Sequence, residues 1–307
     1  MMMVSAGSAG STAGGCKRRW GRGVLATAFI VGWVSLFEIA TGLALEPNDP
    51  AKPRLSASWP DATSTGPGDH KLERSGPLTV TSGGTTISGL DIHGGVTISA
   101  DNVTIEMSRI SANAWAVIKI DPHQTGIVVR DCTIDGLGAD PDGNGNQGIM
   151  GQGTFLRNNI SNVENGIVLT GNRNLIEGNF IHDLDAGGAP HYDGIQIDGG
   201  ISDVVIRHNT IINSHGAASA IMIDNEFGPV SNVVIEDNLL AGGSYTIYSD
   251  GKFNDSPISG ISITNNHIGP GQYGPVLFRK NRPNYLQNEN DGWSLVRNLR
   301  FDSSARE

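Results

Sequence analysis

The amino-acid sequence predicts an all-β fold, a single-stranded right-handed parallel β-helix of about eight coils with three short strands each, over residues 78–280. Three observations predict it. A short phrase recurs along the chain at solenoid spacing, a third apolar strand follows each copy, and 42 Gly with only 17% charged residues suit turns and strands better than a helical bundle.

The phrase sets the coil. Val205–Ile211 reads VIRHNTI, and it returns as LIEGNFI at Leu175–Ile181, VIEDNLL at Val234–Leu240 and SITNNHI at Ser262–Ile268. Weaker copies lie at Phe155–Ile160, Val128–Ile134, Thr104–Ile110 and Thr86–Ile92. Neighbouring copies start roughly 20 to 30 residues apart, the range of solenoid repeats. The third strands are Gly95–Ser99, Val117–Asp121, Gly148–Gln152, Gly166–Thr170, Gly194–Asp198, Ala220–Asp224, Thr246–Asp250 and Pro275–Arg279. Between the first two strands of a coil stands an asparagine: Asn159, Asn179, Asn209, Asn238 and Asn266. Its expected role is structural, a left-handed bend whose stacked amides bond from coil to coil. Hairpin turns for an antiparallel sandwich are missing, and so is a leucine-rich consensus.

The flanks read differently. In residues 1–45 a basic segment (Lys17, Arg18, Arg19, Arg22) precedes the apolar run Val24–Phe37, which Glu38 interrupts. That pattern predicts an export signal, with a retained membrane anchor over 24–45 as the alternative, and hence a secreted or periplasmic protein. Residues 46–77 read as a flexible linker or irregular lead-in, and 281–307 as a C-terminal cap. Without the first 45 residues the chain carries 17 basic and 30 acidic side chains, which argues against nucleic acid as a partner. Cys132 is then its sole cysteine, so no internal disulfide is expected.

Alternation turns the fold into a site. If the isoleucines of the third strands point inward, two columns point outward. One contains Lys119, Met150, Val168, Gln196, Met222, Tyr248 and Leu277; the other contains Asp198, Asp224 and Asp250, followed by Arg279. Like charges on neighbouring strands repel, so a bound cation, a shared proton or Arg279 should offset the cost. Asp198-Gly199 and Asp250-Gly251 are turn signatures too. Loops bordering this face add His191, Tyr192, Asp193 and His215.

On these phrases, residues 78–280 resemble the pectate-lyase-like superfamily of right-handed β-helices. His191-Tyr192-Asp193-Gly194 resembles the Asn-Thr-Asp-Gly signature of polygalacturonase-type hydrolases, and Ser214-His215-Gly216 their Gly-His-Gly. Those resemblances imply catalytic roles for Asp193 and His215. Asp121-Pro122-His123 is similar to the Asp-Pro-His of mannuronan epimerases. Similarity to the calcium-dependent pectate lyases implies Ca²⁺ on Asp198, Asp224 and Asp250, with Arg279 as the proton-abstracting base. The expected catalytic set is therefore Asp198, Asp224, Asp193, His191, His215 and Arg279, with Gln196, Tyr248, Lys119 and Tyr192 binding substrate. The expected function is a polysaccharide lyase or glycoside hydrolase acting on an acidic polysaccharide; the alternative is a non-catalytic glycan-binding or structural module, which the apolar Met150, Val168 and Met222 would suit.

Overall fold

Val, Ile and Leu at alternate positions turn inward, and the strands they form stack coil upon coil. A computed structural model describes residues 58–138 and 146–299, and within them three parallel sheets hold nine strands each. The first sheet runs from Glu73–Ser75 to His267–Gly269, the second from Leu78–Val80 to Gly274–Arg279, and the third from Thr86–Ser88 to Asn284–Leu286. Each sheet takes every third strand of the chain, which makes the fold the expected right-handed parallel β-helix. Its coil count differs slightly from eight: Leu78–Val80 adds a rung to the second sheet, Glu73–Ser75 one to the first, and Asn284–Leu286 one to the third. The export segment falls outside the described residues, and among those described no helix is long and apolar enough to cross a membrane.

The core is a stack of aliphatic columns. Ile195, Ile221 and Ile247 pair in register and are fully buried, so the inward assignment made from alternation holds for the second sheet. Outside the core a smaller cluster covers the first sheet. There Phe180, Ile212, Leu239 and Ala241 meet Trp59 and Ala62 from the lead-in, and Val296 and Leu299 from the C-terminal region. The short helix Gly292–Val296 thus lies against a sheet face. Cys132 is buried, and desolvation pushes its thiol up to about 12, which leaves it inert as a nucleophile.

The asparagine ladder is present with its register corrected. Asn158, not Asn159, is the member: the amides of Asn158, Asn179, Asn209, Asn238 and Asn266 each donate to the next side-chain oxygen at 2.9–3.0 Å, ending on Asn288. Asn159 instead accepts a hydrogen bond from His182. The left-handed residue is likewise not the asparagine but the one before it: Arg157, Gly178, His208, Asp237 and Asn265 have φ of 50°, 70°, 51°, 52° and 57°. The bend needs one residue at positive φ, and the asparagine that follows satisfies the buried backbone groups the bend exposes.

Candidate functional site

The second sheet presents the outward columns. Gln196, Met222, Tyr248 and Leu277 pair in register, and on the strand ends Asp224 pairs with Asp250 and Asp250 with Arg279. Because Ile197 pairs with Ile223, the next residues, Asp198 and Asp224, sit on adjacent rungs, about 4.8 Å apart along the stack. The acids do not all face open solvent as the alternation implied: Asp224 and Asp250 are buried, and Asp198 is half-buried. The reason lies in the loops that follow. Phe227 N–H donates to the Asp198 carbonyl and Glu226 N–H to the Asp224 carboxylate, while buried Asn225 donates to the carbonyls of Asn254 and Ser256 one coil on.

Repulsion along the aspartate column is relieved in two ways. Arg279 pairs with Asp250, which also accepts from Lys252 N–H. Among the described residues Asp198 and Asp224 have no such ion pair, and their pKa values are raised instead. Burial pushes Asp198 up to about 6, against the pull of the Gln196 amide, with the Glu226 charge adding to the rise and His191 opposing it. Burial likewise pushes Asp224 up to about 7; the Glu226 N–H bond opposes, and the charges of Asp198 and Glu226 reinforce. One oxygen of Asp198, Oδ1, is buried and has no hydrogen-bond partner among the described residues. Asp198, Asp224, Gln196, His191 and Glu226 are therefore one electrostatic group.

Several expected roles are corrected. Asp193 shares the inward side of its strand with Ile195 and Ile197 and is buried at 2% exposure, so it is an interior carboxyl and not a groove residue. Its Oδ1 accepts from Ser219 Oγ at 2.6 Å, and burial pushes it up to about 7, with Asp198 and Asp224 adding to the rise. Tyr192 is buried in the wall, its hydroxyl donating to the Ala186 carbonyl, and is not available to bind substrate. His215 stacks on Tyr192 at 3.7 Å and donates from Nε2 to the Leu184 carbonyl, which ties it to the opposite strand ends from the carboxyl pair. Arg279 and Asp250 are ion-paired with each other, which engages both the expected base and one of the expected metal ligands. Lys119 stays on the outward face but is paired with Asp121 at 3.0 Å, and Tyr248 shares its hydroxyl with Ser244 at 2.6 Å.

Calcium takes six to eight oxygen ligands; with Asp250 ion-paired to Arg279, the aspartate column offers it the carboxyls of Asp198 and Asp224, with Glu226 beside them. Among the described residues the potential ligand atoms that lie within 4.8 Å of one another belong to His267, on the first sheet, and to Glu289 and Asp291, from the segment after Asn284–Leu286.

Sequence reasoning missed Glu226 and the aromatic borders. Phe227 and Phe253 are 72% and 54% exposed on successive loops at the acid edge, while Tyr273, 64% exposed, packs on Tyr245 and Tyr245 on Tyr248 at the other edge. The signal was available as an aromatic three residues after each of Asp224 and Asp250.

The interior acid yields a stability test. A carboxyl whose pKa rises from 3.8 to about 7 on folding favours the folded state when protonated. That contribution is complete below 3.8 and is lost as pH climbs to about 7. Asp193→Asn keeps the acceptor for Ser219 without the charge. It is expected to be the more stable protein at pH 8 by roughly 4 kcal/mol, and nearly matched to wild type at pH 4 (roughly the unfolded carboxyl's own pKa). Denaturant titrations at the two pH values measure this, and equal wild-type and variant stability at both would refute it.

Comparison of the chain with protein-family models, with curated proteins and with solved structures finds no match.

Proposed function

We propose that this β-helix is an exported carbohydrate-active protein that hydrolyses a polysaccharide with the carboxyl pair Asp198 and Asp224. One observation carries the reading: two carboxyls on adjacent rungs of an outward column, with no Lys or Arg ion pair among the described residues, whose burial pushes them up to about 6 and 7. Glycoside hydrolysis needs one carboxyl to protonate the leaving oxygen and another to attack, or to activate water, with about 5–5.5 Å between them in retaining enzymes. Rung spacing suits the retaining version. Asp198, the more acidic of the two, attacks the anomeric carbon, and Asp224 donates its proton to the leaving oxygen. Asp224 then deprotonates the water that releases the glycosyl-enzyme. Gln196 holds the Asp198 carboxylate, and Tyr248 and the exposed Phe227 offer surfaces to the sugar rings. Exposed Lys252 and Arg282 follow the next two strands at the same edge and suit the carboxylates of an acidic polysaccharide.

The apolar column of Met150, Val168, Met222 and Leu277 favours a second reading, a surface that only binds glycan. Incubating the chain with uronic-acid and neutral polysaccharides, with calcium or chelator, separates the two. New reducing ends without unsaturated products, indifferent to chelator, are expected. Unsaturated ends would make it a lyase, and binding without cleavage would remove catalysis.

The pair also sets a pH profile. Below about 6 the nucleophile is protonated, and above about 7 the acid is ionised, so the hydrolytic rate should form a narrow bell between them. A rate that is flat from pH 4 to pH 9 (roughly two to three pH steps to either side of that bell) would exclude these carboxyls as the acid and nucleophile.

A further inference from the structure

A second grouping of reactive side chains lies on the outer face of the first sheet, near its N-terminal end. In the strand Leu90–His93, Ile92 is fully buried, so Asp91 and His93 project from the opposite side. The His93 ring is oriented by Asp91, Nε2 to Oδ2 at 2.9 Å. The neighbouring strand Arg109–Ser111 pairs in register, Ile92 with Ile110 and His93 with Ser111. The serine therefore rises from the rung next to the imidazole, about 4.8 Å along the stack. His93 and Ser111 together line a shallow cavity of about 460 Å³, with Gly95, Asn113 and Leu137 among its other walls. Asn113 is exposed there, and Leu137, 57% exposed, adds apolar surface.

We propose that Ser111, His93 and Asp91 form a serine-esterase site, separate from the carboxyl pair, which takes small O-acyl esters such as acetylated hydroxyls. Chain order and connectivity supply the three parts such chemistry requires: a nucleophile, a neighbouring base, and a carboxylate that orients the base. Ser111 Oγ attacks the ester carbonyl carbon while His93 Nδ1, the ring nitrogen that Asp91 leaves free, takes the hydroxyl proton. The oxygen that becomes negative is received by the Asn113 side-chain amide. The carbon–oxygen bond to the alcohol then breaks, and the alcohol departs with the proton from His93. Water completes the cycle: His93 takes its proton, the hydroxide attacks the acyl-serine, the carboxylic acid leaves, and Ser111 recovers its proton. Asp91 is a positioning residue. The base and nucleophile need to close to hydrogen-bond distance only when substrate is bound.

The experiment treats the full chain with a fluorophosphonate probe, maps the labelled residue by mass spectrometry, and measures p-nitrophenyl acetate hydrolysis. Label on Ser111 is expected. Ser111→Ala and His93→Ala should abolish it and lower the hydrolytic rate ~100-fold or more. Asp91→Asn should lower kcat ~10-fold or more with KM unchanged, because the imidazole loses the carboxylate that orients it. Ser161→Ala, in the same outward column beyond Asp135, should hydrolyse and label as wild type does. An unlabelled Ser111 in protein with native circular dichroism, or wild-type hydrolysis by Ser111→Ala, overturns the proposal. Neither result bears on glycan cleavage by Asp198 and Asp224.

Discussion

Asp224→Asn is expected to lower glycan hydrolysis by about 10²–10⁴, the usual contribution of a positioned general acid, while leaving the solenoid folded. The amide matches the carboxyl in size and still accepts from Glu226 N–H. It removes a charge that burial already disfavours, so the variant should also resist denaturant at least as well as wild type above pH 7, the range in which Asp224 is ionised. The combination is diagnostic: activity lost and stability kept points to chemistry, whereas loss of both would make Asp224 a structural residue. Asp198→Asn should be as inactive for a different reason, since it removes the nucleophile. In the shortened Asp198→Ala, added azide should restore cleavage by attacking the anomeric carbon from the vacated space, giving a glycosyl azide, with the leaving oxygen still protonated by Asp224. Wild-type turnover by both asparagine variants would end the hydrolytic reading.

Asn209→Leu is expected to have the largest effect on stability, roughly 3–5 kcal/mol, from two or more buried polar groups left without partners at about 1–3 kcal/mol each. Asn209 Oδ1 accepts from both Asn179 N–H and the Asn179 amide, and its own amide reaches the Ile176 and Arg207 carbonyls and Asn238. Leucine fills the volume but can do none of this. Its branched side chain also sits beside a residue, His208, already at positive φ. Asn288→Leu gives the internal comparison. Asn288 ends the ladder in a half-buried place and should cost less, because water can replace what it loses. Chemical denaturation of the two variants measures the difference, and equal costs would mean that the ladder does not act as a buried network.

Much of the fold was legible because its signals are local and repeated. Alternation placed Ile195, Ile221 and Ile247 inside, and the same parity carried Gln196, Met222 and Tyr248 to the outside. The ladder was legible to within a residue. Asn158 and Asn159 adjoin, and no periodic rule distinguishes the one whose amide reaches the next coil. The site was less legible. Asp193 shares its parity with Ile195 and Ile197, a fact open to reading in the sequence, but its likeness to a catalytic signature drew it into the groove. His215 and Tyr192 followed the same signature, and the structure stacks them together away from the acids.

The sequence by itself determined the solenoid, its three-sheet coil and the outward column that ends in three aspartates and an arginine, because a two-residue alternation repeated coil after coil admits one parity. Only the tertiary structure decided how those charges share the cost of proximity. Arg279 neutralises Asp250, whereas Asp198 and Asp224 are covered by their own loops and hold their protons toward neutral pH. Desolvation depends on which atoms from other coils close over a carboxyl, and that cover is set by loop packing across the stack, where no sequence period reaches.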